Sequence, residues 1–325
     1  MTDEAFLVTG AMGCIGAWVL RHLTDDGVRV VAADLGTDRA RPRLVMSDEA
    51  LDAPTWLVLD VTDGAAVRRA VADYGITHIV HLAGLQIPFC AANPPHGAAV
   101  NVAGTVNILE AARHEAVTGL AYASSLAVLG PPDRYDDWPL PDDSPRFPAT
   151  LYGVFKVANE ETARVYAQDW GVGSAGIRPS IVYGVGRDQG VSSDIAKAVL
   201  AAAAARPFRV RFGGPVSLQH GSDIARIFIA AARAAPTDAI LCNVRNDVID
   251  VADVVALIKD IEPSADLSVD SKTQLPVPAD LDDAALRRLI GSVPHTPLTE
   301  AMRADIAQYR NLISRGLIDL DQLDR

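Results

Sequence analysis

Lysine occurs only four times in this chain of 325 residues and cysteine three times, while aromatic residues make up 6%. Cys14, Cys90 and Cys242 are too few and too scattered for a disulfide framework or a thiolate metal site, so a reducing compartment is expected and no metal centre is assigned. Positive charge is also short: 29 basic residues face 41 acidic ones, a net charge of −12. Such a surface repels polyanions, and no basic patch overrides it, so neither nucleic acid nor an anionic membrane is expected as a partner. Nowhere do about 18 apolar residues follow one another, the run a membrane span requires. The opening "MTDEAFLVTG" passes from acidic residues straight into a short apolar run without a basic leader region. A soluble, cytoplasmic protein is expected. What the chain does have is hydrophobic residues, 49% of the total, enough for a sizeable core.

Those apolar residues are ordered. "AFLVT", "VRVVAAD", "WLVLD", "HIVHLA", "LAYASS" and "SAGIRP" read as buried strands, separated by stretches long enough for crossover helices. That alternation predicts an α/β fold with a Rossmann-type, doubly wound parallel sheet. A helix is expected after Cys14, stopped at Gly27, with others at 97–114, 151–170 and 194–205. Residues 131–148, rich in proline and acid, exclude regular structure and are read either as a surface loop near the site or as a passive connector. Beyond 183 the pattern becomes mixed. The expected division is a dinucleotide-binding domain over 1–182, with returns from about 220–250, and a smaller α/β substrate lobe over most of 183–325.

Between the first strand and the first helix lie Gly10, Gly13 and Gly16. Unpaired amides at a helix start attract anions, and glycines let a pyrophosphate come close, so the loop reads as a phosphate cradle; a tight turn without ligand is the alternative. Asp34 ends the second strand, where a carboxylate accepts from the hydroxyls of an adenosine ribose and repels a 2′-phosphate, favouring NAD over NADP. Arg39, Arg41 and Arg43 argue the other way unless they form a solvated face. Asp60 is placed either to meet the adenine edge or to cap a loop.

Tyr152 and Lys156 are four residues apart on one predicted helical face. A phenol is a poor base at neutral pH, and a neighbouring ammonium together with a cationic nicotinamide would lower its pKa, making Tyr152 a proton donor or acceptor for a carbinol. Ser124 and Ser125 end the fifth strand, the edge where such sheets bind ligands, and a hydroxyl there can hold the substrate oxygen. His81 and His220 are read as structural, and Cys14 as a small packing residue.

Taken together, Thr9 to Gly16, Asp34, Asp60, "HLAG" at 81–84, "NVAGTVNILEAA" from Asn101, the serine pair, Tyr152 with Lys156, and "RPSIVYGVGR" at 178–187 resemble the extended short-chain dehydrogenase/reductases of the NAD-dependent epimerase/dehydratase family. The resemblance runs from the glycine loop to the closing "LRRLIGSVPHTPLTEAMRADIAQYR". It implies Ser125 as the substrate-binding serine, Tyr152 as acid/base, Lys156 as the residue that holds the nicotinamide ribose and tunes Tyr152, and Asn101 as support for that lysine. It further implies NAD contacts from Gly10, Met12, Gly13, Cys14, Ile15, Gly16, Asp34, Asp60, Val61, Leu82, Ala83, Gly84, Tyr152, Lys156 and Pro179. Substrate contacts are expected from Ser124, Ser125, Gln86, Tyr152 and Arg187. A homodimer through helices 97–114 and 151–170 is implied as well.

The chain departs from the family where nucleotide-sugar members carry an Asn and an Arg beside the substrate diphosphate: Ile181 and Val216 stand there, so a nucleotide sugar loses its charge-assisted contacts. Arg187, Arg209 and Arg211 are read either as substitute anion contacts or as solvated charges beside a lobe helix and strand, and Leu129 is expected to make one side of the pocket apolar. The leading expectation is an NAD-dependent oxidoreductase that moves hydride between NAD and a secondary alcohol or ketone of a small sugar-derived or polyhydroxylated substrate. A redox-neutral epimerase that keeps its NAD is the alternative, and a non-catalytic NAD-binding protein is a third.

Overall fold

The apolar runs become strands β1 (Ala5–Thr9), β2 (Arg29–Asp34), β3 (Thr55–Val58), β4 (His78–His81), β5 (Gly119–Ala123) and β6 (Ser174–Arg178) in the computed structural model, which describes residues 4–115 and 117–324. They are followed by β7 (Ile181–Tyr183), β8 (Phe208–Val210), β9 (Pro215–His220), β10 (Ala239–Asn243), β11 (Asp247–Asp250) and β12 (Leu267–Val269). Seven of them form one parallel sheet in the order β10-β6-β5-β4-β1-β2-β3. Successive side chains of β1 alternate between two cores. Phe6 and Val8 join Trp18, Val80 and Ile177 on one face; Ala5 and Leu7 join Val31, Ile79, Leu120 and Tyr122 on the other. Helices cover both faces, which is why these strands read as continuous apolar runs instead of alternating ones.

Strand order reverses between β1 and β4, leaving a crevice at their carboxyl ends, the position where sheets of this kind bind ligands. The glycine loop, Asp34, residues 82–84, the serine pair and Pro179 all follow the carboxyl ends of sheet strands. The chain leaves the sheet after β6 and re-enters at β10, beside β6. Between and beyond, β11, β9 and β7 form a three-stranded sheet, and β12 pairs with β8. No helix among the described residues is long and apolar enough to cross a membrane.

Helix Leu151–Trp170 occupies the expected span. Thr150 caps it, its hydroxyl accepting from the Gly153 amide at 3.1 Å, and Gly171, at φ 66°, ends it. Its buried face carries Lys156, Asn159 and Glu160, an unusual load of polar groups that must find partners inside the protein. The helix expected over 97–114 is not regular. Pro94–Ala98 is α-helical, Ala99–Ala103 makes a π turn, and α geometry resumes over Gly104–His114. Such turns cluster at functional sites, and this one contains Asn101.

Segment 131–148 holds one short 3-10 turn, Pro132–Arg134, and a bridge from Leu140 to Leu281. Leu129 does not line a pocket as expected: it is wholly buried with Leu126, Val128, Leu140 and Leu281 in a small cluster beneath this segment.

Candidate active site

The glycine loop admits no other residue at two positions. Gly10 has φ 68°, and a Cβ there would lie 2.7 Å from the Ala83 nitrogen; a Cβ on Gly16 would meet the Gly10 carbonyl oxygen at 2.2 Å. Gly13 precedes helix Cys14–Asp25 without a side-chain cap, so an anion can approach the amides at its start, including those of Cys14 and Ile15. Cys14 is half-buried, and desolvation pushes its thiol up to about 11, which suits a packing role.

Asp34 holds this loop from the end of β2. Its Oδ2 accepts from the Met12 amide at 2.9 Å and its Oδ1, more weakly, from Gly36 at 3.4 Å. The Met12 carbonyl accepts from Arg41 Nη1 at 2.9 Å, so Met12 has both backbone groups occupied by protein and only its side chain to offer a cofactor. The three arginines beyond Asp34 are all engaged. Arg39 stacks 4.3 Å over the Trp56 ring, Arg41 forks onto Asp188 at 2.9 and 2.8 Å, and Arg43 pairs with Asp48. Asp60 is exposed and caps its own turn, its Oδ1 accepting from the Thr62 amide and hydroxyl at 2.8 and 2.7 Å; those bonds hold its pKa below the ordinary carboxylate value. Val61 is buried behind it.

Across the crevice, Tyr152, Lys156 and Ser125 come together. Lys156 is 4% exposed, and its Nζ donates to the Ala123 carbonyl at 2.6 Å and lies 5.5 Å from the centre of the Tyr152 ring. Ser125 Oγ accepts from the Ala127 amide at 3.1 Å, and its hydroxyl lies close enough to the Tyr152 phenol to pull the phenol's pKa down. The Leu126 amide donates to the Pro179 carbonyl at 3.1 Å, which ties this turn to the end of β6. Burial brings Lys156 down to about 8. Burial also raises Tyr152 above its ordinary 10, opposed by the hydrogen bond from Ser125 and by the charge of Arg187. In the protein alone, desolvation thus opposes the lowering expected from Lys156 together with a cationic nicotinamide.

Ser124 is turned the other way. It is buried, and its hydroxyl donates to Glu160 Oε1 at 2.5 Å, so it belongs to the support beneath the site and not to the substrate surface. Asn101 is buried in the π turn; its Nδ2 donates to the carbonyls of Leu85 and Gly97 at 3.2 and 3.0 Å and contacts Cys90 Sγ at 3.3 Å. Its Oδ1 has no partner. That oxygen and Lys156 Nζ border the same space at Gly84, where a Cβ would lie 2.7 and 3.6 Å from them. Gln86 Oε1 and Arg187 Nη2 flank Gly190 on the far side, 3.3 and 3.8 Å from where its Cβ would be. Arg187 donates to Ser192 Oγ at 3.0 Å, while its buried Nε is without a partner. Arg209 and Arg211 are paired with Asp270 and Asp194, whereas the Arg187 charge opposes the rise of Tyr152.

His81 is structural, as expected. Its ring bridges Thr9 Oγ1 at 2.7 Å and Thr105 Oγ1 at 3.2 Å, and burial brings it down to about 3, so it is neutral. His220 pairs with buried Asp305 at 3.2 Å. Two features escaped the sequence reading. One is the Arg41–Asp188 pair, which joins residues 147 positions apart across the glycine loop. The other is Glu160, which continues the four-residue spacing of Tyr152 and Lys156, and that spacing was the available signal.

An uncapped helix start behind a glycine-only turn, a carboxylate at the end of β2, arginines already paired, and an unpartnered amide oxygen beside Lys156 together fit a dinucleotide without a 2′-phosphate. Residues 6–257 match the model of the NAD dependent epimerase/dehydratase family. Over 202 residues the chain is 35% identical to a UDP-glucose 4-epimerase of Mycolicibacterium smegmatis, a match covering 60% of this chain and 63% of that relative, just under two thirds of its length. The fold superposes on the UDP-glucose 4-epimerase of Thermotoga maritima with a TM-score of 0.81 at 20% identity, over 95% of this chain and 100% of that one. It superposes equally, TM-score 0.81 at 20% identity over 94% and 98%, on an L-threonine dehydrogenase from Clostridium difficile. Two different reactions thus share this backbone, and the fold does not choose between them.

Proposed function

The chain belongs to the NAD-dependent epimerase/dehydratase family, with NAD as its cofactor, and from that premise we propose that it is a redox-neutral epimerase of a sugar derivative. The observation that carries the chemistry is the meeting of Ser125, Tyr152 and a buried Lys156 at the crevice beside the glycine loop. Ser125 holds the oxygen of a substrate carbinol by hydrogen bonding. Tyr152, as phenolate, takes the hydroxyl proton and later returns it as phenol. Bound NAD supplies the hydride acceptor and donor for the carbinol carbon. Lys156 holds the nicotinamide ribose and presents positive charge to Tyr152; Arg187 adds charge from the opposite wall.

Two considerations support the epimerase over net oxidation, reversing the order expected from the sequence. The curated relative with 35% identity carries that activity in its name. Arg41, by clasping Asp188 across the glycine loop, favours a cofactor that stays bound between turnovers. A second reading, net dehydrogenation of a small polyol, draws on Ile181 and Val216: each is 3% exposed and packed in the core, so neither offers a diphosphate the polar contacts the family resemblance expects there. Exposed Leu151, Val154 and Trp170 on helix Leu151–Trp170 support the homodimer expected from the resemblance.

The test is incubation with UDP-sugars, free sugars, lactones and polyols, following absorbance of NADH and product stereochemistry together. Inverted product without free NADH supports the proposal; stoichiometric NADH overturns it in favour of the dehydrogenase.

Cofactor choice has its own test. Asp34→Ala should weaken NAD by about tenfold or more, since a charged hydrogen bond contributes about 1.5–3 kcal/mol, and should narrow the preference over NADP. Equilibrium titration with both dinucleotides reads this directly; an unchanged preference removes Asp34 from the role.

A further inference from the structure

Three consecutive residues at the end of β5 meet three side chains of one helical stripe. The Ala123 carbonyl accepts from Lys156, the Ser124 hydroxyl donates to Glu160, and the Ser125 hydroxyl lies by the Tyr152 phenol. Tyr152, Lys156 and Glu160 follow one another at four-residue spacing, which stacks them on one face of helix Leu151–Trp170. We propose that Glu160 is a positioning residue for the Lys156–Tyr152 pair, clamping the helix, the end of β5 and segment 142–146 into one body; the inference rests on the reading of that pair given above.

Glu160 is 1% exposed, and both its oxygens are saturated. Oε1 accepts from Ser124 Oγ at 2.5 Å and from Arg178 Nε at 2.7 Å; Oε2 accepts from Arg178 Nη2 at 2.8 Å and from Arg146 Nη1 at 3.0 Å. The paired, planar fork of Arg178 fixes the carboxylate in angle as well as distance. From Arg178 the network runs outward: Nη1 donates to the Asp142 carbonyl at 2.7 Å and to Asn243 Oδ1 at 3.2 Å, while the Asp142 carboxylate accepts from the amides of Asn243 and Ala285. Arg146 also pairs with Glu161 at 2.7 Å. Segment 142–146 is thereby pinned to the same carboxylate as Ser124 and Arg178. Buried ion pairs are often no more stabilising than apolar residues of the same volume, so what Glu160 supplies is fixed geometry and a negative charge beside Lys156.

The groups that face Lys156 are few. Glu160 acts from its own helix, the Cys90 thiol from helix Ile87–Ala92, and the neutral His81 ring from the end of β4, with the Tyr152 ring alongside. Burial lowers Lys156, and Cys90 and Glu160 oppose that lowering. With only four lysines in the chain, carbon NMR of protein labelled at the lysine ε-carbon gives a resolvable titration, with the Lys156 signal assigned by Lys156→Met.

The wild-type midpoint is expected near 8. Glu160→Gln, which removes the charge and leaves Arg178 unbalanced, should move it down by about half a pH unit or more. Arg146→Gln, at a side chain 28% exposed, should move it up. Glu160→Asp should stay nearer the wild type than Glu160→Gln. A purely structural role would instead loosen the site in both charge variants, admit water and raise the midpoint in each. Shifts of one sign in both variants, or no shift in either, overturn the proposal; if Glu160→Gln does not fold, Glu160→Asp decides it, since a carboxylate held in place keeps the midpoint near that of the wild type and a loosened site raises it. The titration needs no substrate, so failure of the epimerase reading in the sugar screen leaves its result standing.

Discussion

Tyr152→Phe should lower turnover by about 10²–10⁴-fold, the usual worth of a positioned acid/base, while NAD binds as before. The substitution removes only the hydroxyl, leaving the ring in place above Lys156 and the Lys156–Ala123 bond intact. Its structural cost is confined to the polar contact of the phenol with Ser125, at most about 1 kcal/mol, so the melting transition should scarcely move. Steady-state rates on whichever substrate the screen identifies, together with NAD titration of the same protein, check this. A variant that retains its rate would remove Tyr152 from the chemistry. The raised pKa of Tyr152 in the free protein adds a sign: its phenolate population, and with it the proton-accepting form, grows as pH rises.

Arg178→Ala should destabilise the protein by about 3–5 kcal/mol, because it strands the Glu160 carboxylate in the interior with half its partners gone. Both members of the pair are 1% exposed, so solvent cannot take over the lost bonds. Urea unfolding measures the change as a fall in midpoint at constant slope. The contrast is Arg68, whose pair with Glu115 sits at the surface; Arg68→Ala should change stability by about 0–1 kcal/mol. Equal, small effects at the two positions would show that the buried network contributes little to the fold.

Much of this was legible without coordinates, and for a local reason. The strand "AFLVT" and the helix "LYGVFKVANEETARVYAQDW" occupy the expected residues because apolar runs, a Thr cap and a terminal Gly act within a few positions of one another. Gly10 and Gly16 announced the loop because only glycine fits where backbones touch. Legibility failed where a polar side chain had to choose among distant partners. Ser124 and Ser125 are adjacent and chemically identical, yet strand alternation turns one into the Glu160 network and leaves the other facing Tyr152. Leu129 looked like a pocket wall because nothing nearby in sequence revealed Leu281 packing over it.

Spacing and residue type along the chain carry the α/β alternation, the glycine loop with Asp34 at the end of the next strand, and the Ser, Tyr and Lys set. Tertiary structure alone decided the rest. It turned Arg41 from a candidate phosphate ligand into a clasp on Asp188, and it set Arg187 beside Ser192 and Gln86. It also gathered Ser124, Arg146 and Arg178 around Glu160. The physical reason is common to them: a charge is stabilised by whichever partner the fold brings within about 3 Å, and that distance is not written in the spacing along the chain.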